Sequence, residues 1–226
     1  MNISKLLNHH AQYRPDHIAV IFEDTRLTYR EFNARVNKLA NALLGIGIGK
    51  GSKVATILGN SLELLEIYWA AAKIGAVAVP LSPMMRGKGL ITLLTDSDTE
   101  IVFTDATFAP HLDAVRAELT AIPADRYFLA DDAGLPGYRN YHDLTASASD
   151  ANPAGIEISG DDPYNIMYSS GTTGLPKGIV LSHFVRAQYC TLYSIAYRMT
   201  PESVVLHTGS LVFNGAFLTL MPAFYL

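Results

Sequence analysis

Short apolar runs alternate with longer segments of helical period along most of the chain, and this alternation constrains the fold more than any other feature. The runs 53–58, 76–79 and 101–104 have the length of strands, while 61–74 and 90–95 between them have apolar residues at helical spacing. Strands that alternate with helices of this length pair in parallel through crossover connections. The sequence therefore predicts an α/β fold in which mostly parallel sheets are flanked by helices.

The remaining segments extend this pattern on both sides. Thr28 and Glu31 have the spacing of a capping box, which predicts that a helix begins after Thr28. A stretch rich in Ala, Ser, Asp, Gly and Pro at 145–163 indicates a linker, so we predict a first α/β subdomain over 1–144 and the start of a second over 164–226. Further elements are predicted as an opening helix at 3–13, a hairpin at 18–29, a helix at 110–119, strands at 126–130, 164–169, 179–181 and 204–206, and a helix at 184–199.

The composition supports a globular protein and argues against some function classes. With 226 residues, 49% of them hydrophobic, the chain can bury a sizeable core. A net charge of −4 offers no basic face, so a nucleic-acid partner is not expected. The single cysteine, Cys190, cannot form an internal disulfide, and residues 1–5 lack the apolar core of a signal peptide. The cytoplasm is therefore the expected compartment.

The last segment, 203–226, contains no charged side chain other than His207 when that residue is protonated. Polar and helix-breaking residues interrupt it, whereas a membrane-spanning helix needs about 20 predominantly apolar residues. We therefore expect a buried strand followed by a buried helix instead of a transmembrane segment. Because chain termini usually lie at the surface, a chain that stops within this apolar run is expected to be truncated.

A second feature, between two strand-like runs, indicates function. Residues 168–178 contain Ser and Thr hydroxyls, three glycines and one lysine, Lys177. Phosphate oxygens need several donors at close range, and glycine lets the backbone approach them. In a Walker A loop the Gly-Lys pair is followed by the Ser or Thr that holds Mg²⁺, but here Pro176 precedes the lysine and Gly178 follows it. The segment predicts a phosphate-binding loop whose metal ligands lie elsewhere; an ordinary surface loop is the alternative.

The loop and the strand after it, 168–183, resemble the signature region of the adenylate-forming (AMP-binding) ligase superfamily. This superfamily includes acyl-CoA synthetases, the adenylation domains of nonribosomal peptide synthetases, and luciferases. Four further segments resemble family landmarks in the family's order, namely 27–32, 51–55, 59–64 and 75–81. Nearly the whole chain is covered, yet family members are much longer. The resemblance is thus to the N-terminal portion of an acyl-CoA synthetase, and it implies an incomplete N-terminal α/β domain.

The resemblance also implies a reaction. In the family a carboxylate attacks the α-phosphate of ATP to give an acyl-adenylate and pyrophosphate, and a thiol such as coenzyme A then takes the acyl group. Two anions must meet, so charge screening is the main requirement. By resemblance, the β- and γ-phosphates and the departing pyrophosphate are held by Ser169, Ser170, Gly171, Thr172, Thr173, Gly174 and Lys177. The family's Mg²⁺ ligand, ribose-binding aspartate, hinge and C-terminal lysine fall beyond residue 226. No complete catalytic set is expected, so the fragment should be inactive alone.

The acid is predicted to meet Phe213, Asn214 and Gly215, which lie in a segment that resembles the acyl-pocket lining of acyl-CoA synthetases. Many relatives have histidine where Phe213 falls, which argues against a histidine gate and leaves an aromatic wall as the fallback interpretation. Ordinary core packing at a strand-to-helix turn is an equal alternative. The apolar surroundings favour a fatty or other apolar acid over an amino acid.

Other candidates and other functions stay open. We expect His183, beside Ser182 at a helix start, to cap or pack, and Cys190 to be buried and inert. Asp161 and Asp162 indicate a solvated turn. The alternatives to a coenzyme A ligase are an enzyme that loads a carrier protein and a noncatalytic nucleotide-binding or scaffold module. A homo-oligomer is compatible with the sequence, which does not fix the acid, the acceptor or the oligomeric state.

Overall fold

The computed structural model describes residues 2–169 and 176–226. The strands are β1 (Ile18–Phe22), β2 (Thr25–Thr28), β3 (Lys53–Ile57), β4 (Val77–Pro80), β5 (Thr99–Thr104), β6 (Tyr127–Leu129), β7 (Arg139–Asn140), β8 (Pro163–Ser169) and β9 (Lys177–Ser182). The α-helices are α1 (Leu6–Tyr13), α2 (Tyr29–Gly45), α3 (Leu62–Ile74), α4 (Gly87–Asp96), α5 (Ala109–Asp113), α6 (Tyr141–Ala146), α7 (His183–Ala196) and α8 (Phe217–Tyr225).

Seven strands form one mostly parallel sheet in the order β7-β6-β5-β3-β4-β8-β9. All neighbours from β7 to β8 pair in parallel, and only β8 and β9 pair antiparallel. Strands β1 and β2 form a separate antiparallel hairpin. The predicted α/β fold is therefore confirmed, because helices α3 and α4 make the crossovers that bring β3, β4 and β5 into parallel register.

Both faces of the sheet are covered, which is why its central strands are apolar runs without alternation. On one face Val54 and Phe103 pack with Trp69 of α3, in a cluster that also includes residues of α2, α7 and α8. On the other face Ala55 packs with residues of α4, including Leu90. The sheet thereby forms the core on which the described helices pack.

Two helix ends illustrate how local sequence sets the boundaries. The predicted capping box is present, because the Thr28 hydroxyl accepts from the Glu31 N–H at 3.2 Å and the Glu31 carboxylate accepts from the Thr28 N–H at 2.8 Å. Helix α3 ends at Gly75, whose φ of 71° lies in the left-handed region that glycine adopts without strain.

Residues 149–158, which we call the strap, run from α6 towards β8 and are held by side chains of distant elements. Asn37 Nδ2 donates to the Asp150 carbonyl at 2.7 Å, and Asn41 Nδ2 donates to the carbonyls of residues 149 and 151 at 2.8 Å. The ammonium of Lys73 donates to the side-chain oxygens of Asn33, Asn37 and Asn152 at 2.6–2.9 Å. The subdomain division at 145–163 stays a prediction, and β8, which follows the strap, continues the same sheet as β4.

The structure differs from the predicted elements in three places. The helix predicted at 110–119 ends at Asp113, and Arg116–Glu118 form a separate 3-10 turn. Strand β7 and helix α6 had no counterpart in the prediction. The strand predicted at 204–206 is wrong, because within the described residues this segment has no neighbouring strand, and Val204 is 91% exposed. The helix predicted after it is α8, whose Phe217 and Phe224 are buried. No helix in the described ranges is both long and apolar enough to cross a membrane.

Candidate active site

The antiparallel hairpin of β8 and β9 frames the predicted phosphate loop. Ser169 at the end of β8 lies opposite Lys177 at the start of β9, and both residues are exposed. Of the predicted phosphate ligands, the structure therefore brings these two together at the mouth of the loop. The other five, Ser170, Gly171, Thr172, Thr173 and Gly174, lie outside the described residues.

Contacts of Tyr168 fix the end of β8, and they also explain why residue 178 is a glycine. The hydroxyl of Tyr168 donates to the Asp96 carboxylate at 2.6 Å and lies 3.3 Å from the Leu93 carbonyl, both in α4. Burial and the Asp96 carboxylate raise the pKa of Tyr168, so the phenol stays protonated and remains a donor at neutral pH. A Cβ at Gly178 would lie 3.2 Å from the Tyr168 ring and 3.0 Å from Ile166. Glycine at 178 thus lets this ring pack across the hairpin.

The residues after β9 serve packing and capping. The Ser182 hydroxyl accepts from the Val185 N–H at 3.3 Å and caps α7. His183 is fully buried with its ring centre 5.4 Å from that of Tyr164, and burial lowers its pKa to about 4. It is therefore neutral at pH 7, in agreement with the predicted packing role. Cys190 is buried, and burial raises the pKa of its thiol to about 12, which makes it inert. Asp162 pairs with Lys50 at 2.7 Å.

The predicted acid-binding residues Phe213, Asn214 and Gly215 are all exposed, where a 3-10 turn leads into α8. We call these three residues the wall. The preceding segment is anchored by Asn60, whose amide donates to the Gly209 carbonyl at 2.7 Å and accepts from the Leu211 N–H at 2.8 Å. The backbone just before the wall is therefore held in place by Asn60.

Arg186 of α7 is a residue of this region that the sequence analysis missed. It is fully buried, its Nη1 donates to Asn214 Oδ1 at 2.9 Å, and its Nε donates to Asn165 Oδ1 at 3.2 Å. Its guanidinium lies 3.9 Å from the centre of the Phe217 ring. Its burial could have been predicted from the sequence, because Arg186 is three residues after His183 and four before Cys190 and therefore lies on the same face of the helix. Arg186 links β8, which leads into the phosphate loop, to the wall.

The described residues do not supply a metal site. Within residues 2–169 and 176–226, no three His, Cys, Asp or Glu side chains are grouped closely enough to hold an ion.

Comparison with known proteins decides the family. The family model described as AMP-binding enzyme matches residues 7–226. The chain belongs to the AMP-binding enzyme family. This confirms the resemblance that was based on the loop at 168–178 and on the four landmark segments.

Several relatives of this chain in the AMP-binding family are acid–thiol ligases. Long-chain-fatty-acid–CoA ligase FadD13 of Mycobacterium tuberculosis is 38% identical over 71% of this chain and 30% of its own length. Fatty acid–[acyl-carrier-protein] ligase ScoC of Streptomyces coeruleorubidus is 32% identical over 77% of this chain and 31% of its own length. The crystal structure of the anthranilate CoA ligase AuaEII in complex with anthranoyl-AMP superposes with a TM-score of 0.88, at 22% identity, over 100% of this chain and 43% of that one. The chain thus spans about a third of the length of these two curated relatives and resembles their N-terminal portion.

Proposed function

We propose that this chain is the N-terminal part of an ATP-dependent, AMP-forming ligase that activates a carboxylic acid and transfers it to coenzyme A. One observation carries the proposal: in an AMP-binding fold, the hairpin brings Lys177 and Ser169 together at the mouth of a loop rich in hydroxyls and glycine. These side chains donate hydrogen bonds and positive charge, which is what the phosphates of ATP require.

The chemistry follows from the poor reactivity of a carboxylate, which lacks a competent leaving group. A carboxylate oxygen attacks the α-phosphorus of ATP, and the bond from that phosphorus to the oxygen bridging to the β-phosphate breaks. Pyrophosphate leaves and an acyl-adenylate forms. The thiol sulfur of coenzyme A then attacks the acyl carbon and releases AMP, while the thiol proton passes to a base or to solvent. Mg²⁺, when bound by residues outside the described set, would screen the phosphate charge.

Within this scheme Lys177 and Ser169 act on the pyrophosphate end of ATP. The ammonium of Lys177 offsets the charge that develops on the departing pyrophosphate, and the Ser169 hydroxyl donates to a phosphate oxygen. A hydrogen bond to a charged group contributes about 1.5–3 kcal/mol. The five loop residues between them, from Ser170 to Gly174, complete the proposed donor set.

We infer a fatty or other apolar acid as the substrate. Phe213 is 54% exposed at the wall and offers an apolar surface, and the similar FadD13 is a long-chain-fatty-acid ligase. Coenzyme A is the proposed acceptor. A carrier protein is the second candidate, because the similar ScoC is a fatty acid–[acyl-carrier-protein] ligase. Cytoplasmic location, a homo-oligomer and inactivity of the isolated fragment remain predictions.

The test is ATP–pyrophosphate exchange by the full-length protein that contains this chain, with Mg²⁺ and a panel of acids. Lys177→Ala should slow adenylate formation by roughly 10- to 150-fold, the equivalent of one lost charged hydrogen bond, and should slow thiol transfer much less. Lys88→Ala, which removes another exposed lysine on α4, is the matched control and should leave both half-reactions unchanged. Equal losses in both half-reactions for Lys177→Ala would contradict its role. Absence of both ATP binding and exchange with every acid would refute the enzyme and favour a noncatalytic scaffold, whereas ATP binding without exchange would favour a noncatalytic nucleotide-binding module.

A further inference from the structure

Arg186 carries a buried positive charge that no carboxylate neutralises among the described residues. The side chain has no solvent exposure, and none of the ion pairs in that part of the chain includes it. Burial lowers its pKa to about 10, so the guanidinium is still protonated at neutral pH. Buried charges are normally paired, because desolvation makes an isolated one costly. A charge kept without a counter-ion therefore calls for an explanation.

The chemistry of guanidinium fixes how the two neighbouring amides are oriented. A guanidinium has only N–H donors, so an amide that contacts it must present its oxygen. Asn165 and Asn214 therefore both turn Oδ1 towards Arg186, at 3.2 and 2.9 Å. Because Asn214 turns its oxygen towards Arg186, its Nδ2 group points away from the guanidinium. The Nδ2 group has the Tyr189 hydroxyl as its partner among the described residues, at the long distance of 3.5 Å. At the exposed wall, Asn214 thus presents N–H donors that are almost unused.

Two further N–H donor groups at Arg186 and Asn165 have no acceptor among the described residues. Arg186 Nη2 and Asn165 Nδ2 are both buried and have no acceptor within residues 2–169 and 176–226. An acidic residue in place of Asn165 could have taken both Nε and Nη2 of Arg186, since this edge of a guanidinium binds a carboxylate in bidentate fashion. With an amide there instead, the described residues offer the guanidinium two amide oxygens and the faces of two aromatic rings, but no negative charge. The net positive charge behind the wall therefore favours an electronegative atom in front of it.

We propose that Asn214 is a specificity-determining residue, oriented by Arg186, which donates a hydrogen bond to an oxygen on the body of the acid. This inference rests on the proposed ligase function and narrows its substrate class. The acid is largely apolar, because it contacts Phe213, but it carries a carbonyl, hydroxyl or ether oxygen away from the carboxylate that is activated. Arg186 is a positioning residue, because it acts through the Asn214 amide and does not touch the substrate.

A purely structural role of Arg186 makes a different prediction, and Asn214→Asp separates the two. Aspartate keeps an oxygen facing Arg186 and converts the contact into an ion pair, so folding stability is maintained or raised. The same change removes the N–H donors from the wall and replaces them with an acceptor oxygen. A structural tie tolerates this variant, whereas a donor to the substrate does not.

The experiment compares a saturated fatty acid with its keto and hydroxy derivatives of equal chain length, in ATP–pyrophosphate exchange by the full-length protein. We expect wild type to prefer at least one oxygenated acid by about tenfold or more in kcat/KM, the equivalent of about one hydrogen bond. Asn214→Asp and Asn214→Leu should bring the ratio close to one and leave the KM for ATP within about twofold. Arg186→Met should lower the ratio in the same direction. Phe213→Leu is the matched control at the adjacent position, and it should change both acids alike and keep the ratio.

Two outcomes would overturn the inference: a wild type that does not favour any oxygenated acid, or an Asn214→Asp variant that keeps the preference. Because Asn214 is exposed, its variants still decide the question if Arg186→Met does not fold. Absence of exchange with every acid would overturn the ligase function instead, so the two failures are distinguishable.

Discussion

Asn37 and Asn41 hold the same strap from adjacent turns of α2, and they allow the contribution of Lys73 to be isolated. Asn37 is buried, accepts from the Lys73 ammonium at 2.7 Å and donates to the Asp150 carbonyl at 2.7 Å. Asn41 makes two bonds of 2.8 Å to the strap, but both are solvent-exposed and neither involves a charge. The substitutions Asn37→Ala and Asn41→Ala therefore differ in burial and in one charged hydrogen bond.

The magnitudes follow from these contacts. Asn37→Ala removes one charged hydrogen bond, about 1.5–3 kcal/mol, and one neutral hydrogen bond, about 0.5–1.5 kcal/mol. Asn41→Ala removes two exposed neutral bonds that water replaces, for a total of about 0.5–1.5 kcal/mol. Alanine improves helix propensity equally at both positions, so this gain cancels in the difference. We expect Asn37→Ala to destabilise the protein by roughly 1.5–3 kcal/mol more than Asn41→Ala, or by roughly 3–12 °C in Tm.

The assay is urea denaturation of the purified protein at about pH 6. Burial lowers the pKa of Lys73 to about 7, so the side chain is still mostly protonated at this pH. Repeating it at about pH 9 should reduce the difference between the two variants, since a neutral amine makes a weaker bond than an ammonium. Equal free energies of unfolding for the two variants at the lower pH would refute the reasoning, because the buried charged bond would then contribute nothing beyond an exposed one.

Three further predictions follow from individual residues. Burial lowers the pKa of Lys73 from 10.5 to about 7. Between these two pH values the unfolded chain binds more protons than the folded one, so the free energy of unfolding increases with pH. Denaturation of the wild type should show an increase of roughly 3–4 kcal/mol between about pH 7 and pH 10, and the Lys73→Met variant should not show it. Gly75→Ala should cost about 1–2 kcal/mol in denaturation experiments, because φ is 71° and the new Cβ would lie 3.1 Å from Lys50 Cγ, whereas Gly45→Ala in open space at the end of α2 should be neutral or stabilising. A thiol reagent should label Cys190 only as fast as the protein unfolds, since its thiol is buried with a pKa raised to about 12, and fast labelling of the folded state would contradict this.

The sequence was informative where one local signal and the tertiary environment agree. Strand β3 and helix α3 were predicted from the short apolar run at 53–58 and from the apolar residues at helical spacing in 61–74, and in the structure both elements are largely buried. The segment 204–206 has the same apolar character, yet no strand is beside it in the described residues, and Leu206 is 84% exposed. A strand requires a hydrogen-bonding partner, which local composition does not reveal.

In the candidate site, too, some residues were predicted from the sequence and others were missed. Ser169 and Lys177 were predicted to act together, and the hairpin register does place them opposite each other. Arg186 and Lys73 were missed, because sequence reasoning expects cations at the surface. Each is buried among amide oxygens that come from other elements, as Asn165 and Asn214 do for Arg186. The spacing within α7 could have indicated that Arg186 is buried, but its partners on other elements are brought to it only when the chain folds.

Strand β9 has a practical consequence for work with this polypeptide by itself. Among the described residues it is paired on one side only, and its Ile179 and Val180 are 49% and 59% exposed. An apolar strand edge with unused backbone donors and acceptors can add a strand from another molecule. Recombinant preparations of these 226 residues should therefore lose material to aggregation as concentration increases, and an edge charge such as Val180→Lys should improve the yield.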